Sequence, residues 1–216
     1  MADGYVGHFV FWKTVQPIDV IKAVVKGQFG GMDVRSTVIH MIGNPAEKNG
    51  EPVDPEYKDL HLSGYELAVS PPFQANVLVS NQFGEKECQL GKPVFLLMPA
   101  FKSHEPGKLP DDKPKGPHFL CYQVIQGPTV DKTVKLNDQF LTQEVKNPRL
   151  AYLGVPVDKN GEGMWNEDVH LALYDINPFE LDPWKIVYIR DQFQKEQQLT
   201  AMRSVFLAVP SKKKVL

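Results

Sequence analysis

Four histidines stand at near-constant spacing, His8, His61, His118 and His170, each followed four residues later by an aromatic residue, Trp12, Tyr65, Tyr122 or Tyr174. Imidazole is the commonest transition-metal ligand, and a closed four-fold ring would bring all four to one axis. Metals held by proteins generally want three or four donors, however. No Cys, Asp or Glu joins any of these histidines at a ligand spacing such as H-x-x-x-H. Each histidine is therefore expected to be structural, packed beside its aromatic on the same face of a strand. Neither a metal nor any other cofactor is expected.

Two further patterns could bind or react. "DKNGE" at 158–162, echoed by "AEKNGE" at 46–51, sets acids and an amide around a glycine. An EF-hand loop needs twelve residues and a late bidentate glutamate, which are missing, whereas Asn-Gly is the strongest tight-turn dipeptide. Turns are expected there. Gln-Phe occurs at 28–29, 82–83, 139–140 and 192–193, spacings of 54, 57 and 53 residues. Its amide suits a structural hydrogen bond at a strand edge, and its ring suits the core. There is no G-x-S-x-G, phosphate loop or H-E-x-x-H, and the acids and bases recur in step with the repeat, so catalysis is not expected. The stretch that best suits a small ligand is "MWNED", where Trp165 offers a stacking ring beside Asn166, Glu167 and Asp168.

These spacings divide the chain into four units of about 53 residues. After each Gln-Phe an apolar segment closes at Pro45, Pro99, Pro156 or Pro210, with Lys48, Lys102, Lys159 or Lys213 three residues on; Pro17, Pro71, Pro128 and Pro178 precede the phenylalanines. Six and four residues before each phenylalanine lie Ala23/Val25, Val77/Val79, Val134/Leu136 and Val187/Ile189, with a polar residue between or after them. That alternation predicts half-buried strands, including Ile18 to Gly27, whose spacing alone would also fit a helix. Gly27, Asn81, Asp138 and Asp191, two before the phenylalanine, predict positive φ at a bulge or turn. The closing strand carries Ile42, Leu96, Leu153 or Leu207 next to Met41, Phe95, Tyr152 or Phe206, so it is expected to be covered on both faces.

The fold expected is all-β. Units 1 and 3 end in K-N-G-E and units 2 and 4 do not, and a Pro-, Lys- and Asp-rich stretch lies at 105–117. The expectation is two tandem antiparallel β-sandwich or barrel-like modules, 1–104 and 118–216, joined by that linker, with a single four-bladed propeller-like ring as the alternative.

Through "HFLCYQV", "NDQF" and "PVDKNGEG", with "NQFGE" and "VPSKK" in the second and fourth units, the chain resembles an uncharacterised family of bacterial β-repeat domains found mostly in secreted proteins. Its units read approximately H-x-x-C-Y-x-V, D-Q-F and L-C-x-P-V-D-K-N-G-E. The resemblance spans nearly the whole chain and implies no activity, since the family has none established. It does imply a cysteine pair linking neighbouring strands and an exported protein. Here Cys121 holds the first place, Tyr152, Leu153 and Gly154 fill the region of the second, and Cys88 lies elsewhere. The pairing is not expected, and the compartment stays open.

A formal charge of −2 and a pI near 6.3 provide no field for nucleic acid. No apolar run approaches the roughly 18 residues of a membrane helix, and the first fifteen residues lack the basic start of a secretory signal. Two function classes follow: a non-enzymatic structural or accessory subunit that binds other proteins through sheet surfaces and loops, or a carbohydrate or small-ligand binding module using Trp165 to Asp168.

Overall fold

Alternation sets the local structure. In the segment Ile21–Gly27 the side chains of Ile21, Ala23 and Val25 are buried and those of Lys22, Val24 and Lys26 exposed, the period of a strand with one wet face. The computed structural model describes residues 6–15, 21–176, 184–193 and 195–216, and every regular element among them is a strand. Pro17, Pro178 and the start of the Ile18 to Gly27 segment lie outside the described residues. The first unit supplies β1 (Phe9–Val15), β2 (Ile21–Gly27), β3 (Gly30–Pro45) and β4 (Glu47–Lys48). The second supplies β5 (His61–Leu67), β6 (Ala75–Asn81) and β7 (Gly84–Ser103). The third supplies β8 (Phe119–Ile125), β9 (Thr133–Asn137), β10 (Thr142–Lys146) and β11 (Arg149–Lys159), and the fourth β12 (His170–Asp175), β13 (Lys185–Asp191) and β14 (Gln197–Val215).

The antiparallel pairings return to their start: β1 with β3, β3 with β5, β5 with β7, β7 with β8, β8 with β11, β11 with β12, β12 with β14, and β14 with β1. Two of these ladders, β7–β8 and β14–β1, join residues 1–104 to residues 118–216 within one 11-stranded sheet, while β10, β9 and β4 form a second sheet of three strands that also draws on both segments. Within 105–117, Asp111 is held by Arg190 at 2.8 Å.

Adjacent residues of the ring strands feed two separate cores. Phe9, Phe11, Met41, Leu62, Phe95, Leu97, Phe119 and Leu171 cluster on one face, the face that a ring must turn inward. Val10, Trp12, Ile42, Tyr65, Leu96 and Leu153 lie on the other, packed against Val25, Val34, Val79, Leu136 and Ile189 of the hairpins. The closing strands are thus covered on both sides: Ile42, Leu96, Leu153 and Leu207 are buried on one face, Met41 and Phe95 on the other.

The inner face fits large side chains to small ones across each ladder. Phe11 lies opposite Gly43, Leu97 opposite Gly64, Cys121 opposite Gly154 and Leu173 opposite Ala208. A Cβ added at Gly43 would lie 2.8 Å from the Phe11 ring, and one at Gly64 2.6 Å from Met41 Cγ, so glycine is required for close approach there. Gly154 occupies the place opposite Cys121 where a cysteine partner would stand, and both Cys121 and Cys88 are free and buried.

Each unit's hairpin also pairs with the tail of the unit two along. β2 takes Val157 to Lys159, β9 takes Glu47 and Lys48, β6 takes Lys212 to Val215, and β13 takes Ala100 to Ser103. In all four the tail lysine sits opposite the residue four before the phenylalanine: Lys159 opposite Val25, Lys48 opposite Leu136, Lys213 opposite Val79, Lys102 opposite Ile189. Units 1 and 3 therefore clasp each other, as do units 2 and 4.

Candidate functional site at the histidine corners

At the tip of each hairpin the residue two before the phenylalanine works through its side chain. Positive φ does not occur at Gly27, Asn81, Asp138 or Asp191, which corrects the expectation from residue type. Instead Oδ1 of Asn81, Asp138 and Asp191 accepts the backbone N–H of Phe83, Phe140 and Phe193, each at 2.9 Å, closing an Asx-turn. The other side-chain atom reaches the aromatic of the opposite unit. Trp12 Nε1 donates to Asp138 Oδ2 at 2.6 Å, Tyr65 Oη to Asp191 Oδ2 at 2.6 Å, and Asn81 Nδ2 to Tyr174 Oη at 3.0 Å. One short polar residue thereby shapes its own turn and fixes a buried ring across the molecule.

The phenylalanines that follow are half-buried rather than core. One edge meets the aromatic of the opposite unit: Trp12–Phe140 at 5.1 Å, Phe29–Tyr122 at 5.3 Å, Tyr65–Phe193 at 5.9 Å and Phe83–Tyr174 at 4.9 Å between centroids, all near-perpendicular. Over the rings lie ammonium groups from the preceding unit, Lys48 on Phe83 at 5.9 Å, Lys102 on Phe140 at 4.4 Å, Lys159 on Phe193 at 5.2 Å and Lys213 on Phe29 at 4.9 Å. The last contact returns from the fourth unit to the first.

The histidines stand one at each of these corners beside their own unit's lysine. His8 Nε2 meets the Gln82 amide and His118 Nε2 meets Gln192 Oε1 at 3.2 Å, so the repeated glutamine latches the imidazole of the unit before it. Burial, with the charge of Lys48, Lys159 or Lys213 added, pulls His8, His118 and His170 down to about 4, and burial holds His61 well below its ordinary value. All four are neutral at pH 7. Among the described residues no group of three or more His, Cys, Asp or Glu side chains is placed to hold a metal ion.

The K-N-G-E segments are tight turns that dock. Asn49 and Gly50 have φ of 52° and 84°, Asn160 and Gly161 56° and 79°, the pattern of a type I′ turn. Asn160 N donates to Val24 O and Asn160 Oδ1 accepts from Val24 N, both at 2.8 Å; Asn49 does the same with Lys135 at the same distances. The lysine folds beneath its turn, Lys159 ammonium 2.6 Å from Glu162 and Lys48 3.7 Å from Glu51.

Two corners depart from the common plan. Lys102 donates to Asn44 Oδ1, Asn44 Nδ2 donates to Asp138 Oδ2 at 3.2 Å, and burial, opposed by Asp138, pulls the Lys102 amine down to about 7. At the corner of units 4 and 1, Gly27 replaces the Asx residue because a Cβ there would lie 2.8 Å from Val157 Cγ1. Phe73 enters instead, 5.0 Å from Phe29 and 4.7 Å from Tyr122. Nothing in the sequence periodicity marks Phe73 or Asn44; Lys102 was visible only as a residue at fixed distance from a proline.

The stretch Trp165 to Asp168 is divided between two clefts. Glu167 and Asp168 line one of about 780 Å³ together with Lys26, Gln28, His170 and Lys213. Trp165, half-exposed, lines a second of about 460 Å³ with His118, Glu162 and Gln192. Met164 borders both, and Asn166 Oδ1 accepts Asp168 N at 2.9 Å in a local, exposed turn.

Among known proteins, a family model described as a repeat of unknown function (DUF7450) matches residues 61–168. No curated protein and no solved structure matches the chain.

Proposed function

The chain belongs to this repeat family of unknown function, and we propose that it is a non-catalytic accessory subunit that holds another protein against its sheet surface. The observation that carries this reading is a stripe that runs from Trp184, just before β13, onto the outward face of that strand: Trp184 is 68% and Ile186 53% exposed, and Tyr188 follows at the same alternation. Their inward-facing neighbours Val187 and Ile189 are buried, so the stripe is surplus to the core. Trp and Tyr are the residues that most often anchor protein interfaces, and an Ile between them adds area that is costly to leave in water. Most polar groups at the corners serve the fold, since the His8 and His118 imidazoles, the amides that latch them and the four ammonium groups each meet another unit, which leaves surfaces rather than reactive centres to carry function. Among the described residues no helix is long and apolar enough to cross a membrane.

Affinity recovery of the chain from its native source tests the proposal. A partner in fixed ratio is expected, lost from the Trp184→Ser/Ile186→Thr double variant while the thermal midpoint holds. Recovery of the chain alone, or a partner that stays with the double variant, overturns it.

A further inference from the structure

One corner lacks the latch that two others make. Where His8 meets Gln82 and His118 meets Gln192, His170 has no such contact: the Lys213 ammonium donates to Gln28 Oε1 and turns that amide elsewhere. His170 is 3% exposed, and its Nε2 is buried with no hydrogen-bond partner among the described residues. The opposite nitrogen, Nδ1, lies 3.2 Å from the carbonyl oxygen of Asp168 and can only donate to it, which leaves Nε2 of the neutral ring a bare acceptor. The ring lies in the wall of the 780 Å³ cleft, a size within the range of small-molecule sites.

The rest of the lining specifies what would satisfy it. Asp158, Glu167 and Asp168 bring acceptors, while Lys26, Lys212, Lys213 and the Gln28 amide bring donors. A sulfate offers no donor to Nε2, and a phosphate, though its hydroxyl can supply one, sets its charge against three carboxylates. A hydroxyl donates and accepts at once, so a ligand bearing several of them matches a lining of both kinds. We propose that the cleft between the β2 tip and residues 164–170 binds a polyhydroxylated small molecule, a mono- or oligosaccharide, with one hydroxyl donating to His170 Nε2. Met164 separates this cleft from the one lined by Trp165, so a longer oligosaccharide passing Met164 reaches an aromatic face on which to stack. This site is separate from the β13 stripe and does not depend on the protein-partner reading.

Calorimetric titration of the full chain with malto-, cello-, xylo-, manno- and chito-oligosaccharides, and with their monosaccharides, tests the proposal. At least one is expected to bind, with Glu167→Gln and Lys212→Ala each weakening it about tenfold and His170→Gln abolishing it. Glu167 and Lys212 are exposed, so their variants keep the test valid if His170→Gln unfolds. A shift of the His170 Nε2 resonance on saturation is the direct signature. No binding across the panel, or binding that all three variants leave unchanged, overturns the site.

Discussion

The clasp between units 1 and 3 and the clasp between units 2 and 4 join opposite units in the same register by different chemistry. In the first, a type I′ turn presents Asn49 or Asn160, whose backbone and side chain together grip one residue of the facing hairpin. In the second, the tail stays extended and pairs over four residues, Ala100 to Ser103 with β13 and Lys212 to Val215 with β6. The alternation of unit types along the chain thus reflects units of one type meeting their own kind across the molecule, each hairpin receiving the tail of the unit it supplies with one. Neighbours in sequence meet instead at the corners, through histidine, glutamine, lysine and phenylalanine.

Acid gives the largest expected effect, because the histidines sit where the two kinds of unit meet. His8, His118 and His170 have folded values near 4 against 6.5 unfolded, so between those limits the unfolded chain binds more protons. Their contribution is full above pH 6.5 and is lost as pH falls toward 4, by up to roughly 1 kcal/mol per pH unit for each. Denaturant unfolding across pH 4 to 7 measures it, and His118→Asn flattens the slope. A stability that stays level through that window means the imidazoles are solvated.

Next in size, Asp191→Ala and Asp138→Ala compare the two clasps at equivalent places. Asp191 is buried and accepts from Tyr65, from Ser63 at 3.0 Å and from Phe193 N; Asp138 is more open. Losing a buried charged acceptor and stranding its donors costs about 3–5 kcal/mol, against about 2–3 for the more exposed partner. Equal losses in urea titrations would place the two aspartates in like environments.

The smallest effect is confined to one clasp. Asn160→Ala removes one side-chain hydrogen bond and leaves an alanine at positive φ, for about 1–2 kcal/mol. Lys102→Ala, in the other clasp at the position of Lys159, keeps its ladder and loses only the ammonium contacts. Amide exchange at Val24 should quicken in the first variant alone.

Much of this was legible locally. The alternation in Ile21 to Gly27 and its sister segments announced strands, and Asn-Gly announced its own φ angles. What sequence could not carry was distance: Trp12 and Asp138 stand 126 residues apart, and no periodicity names which unit faces which. Equal spacing is as compatible with adjacent pairs as with opposite ones. Asp138 and Asp191 were misread for a different reason, since the short polar side chains that tolerate positive φ are the same ones that close Asx-turns. The phenylalanines keep the apolar register and still lie half-open, because the lysine that covers each arrives from another unit. In the same way, Trp165 to Asp168 are contiguous in the chain yet face two clefts, as consecutive loop residues diverge around Met164.

The inner face of the ring has a consequence for the chemistry the protein can tolerate. Phe11 over Gly43, Leu97 over Gly64 and Leu173 over Ala208 hold neighbouring strands by size alone, and Cys121 over Gly154 is one more such pair, with a thiol as the larger partner. Burial raises that thiol far above its ordinary value, which removes the thiolate that exchange and oxidation require. The interior is therefore indifferent to thiol–disulfide poise: glutathione has no bond there to reduce and peroxide finds no thiolate, so the thiol chemistry of the ring is the same in a reducing or an oxidising medium.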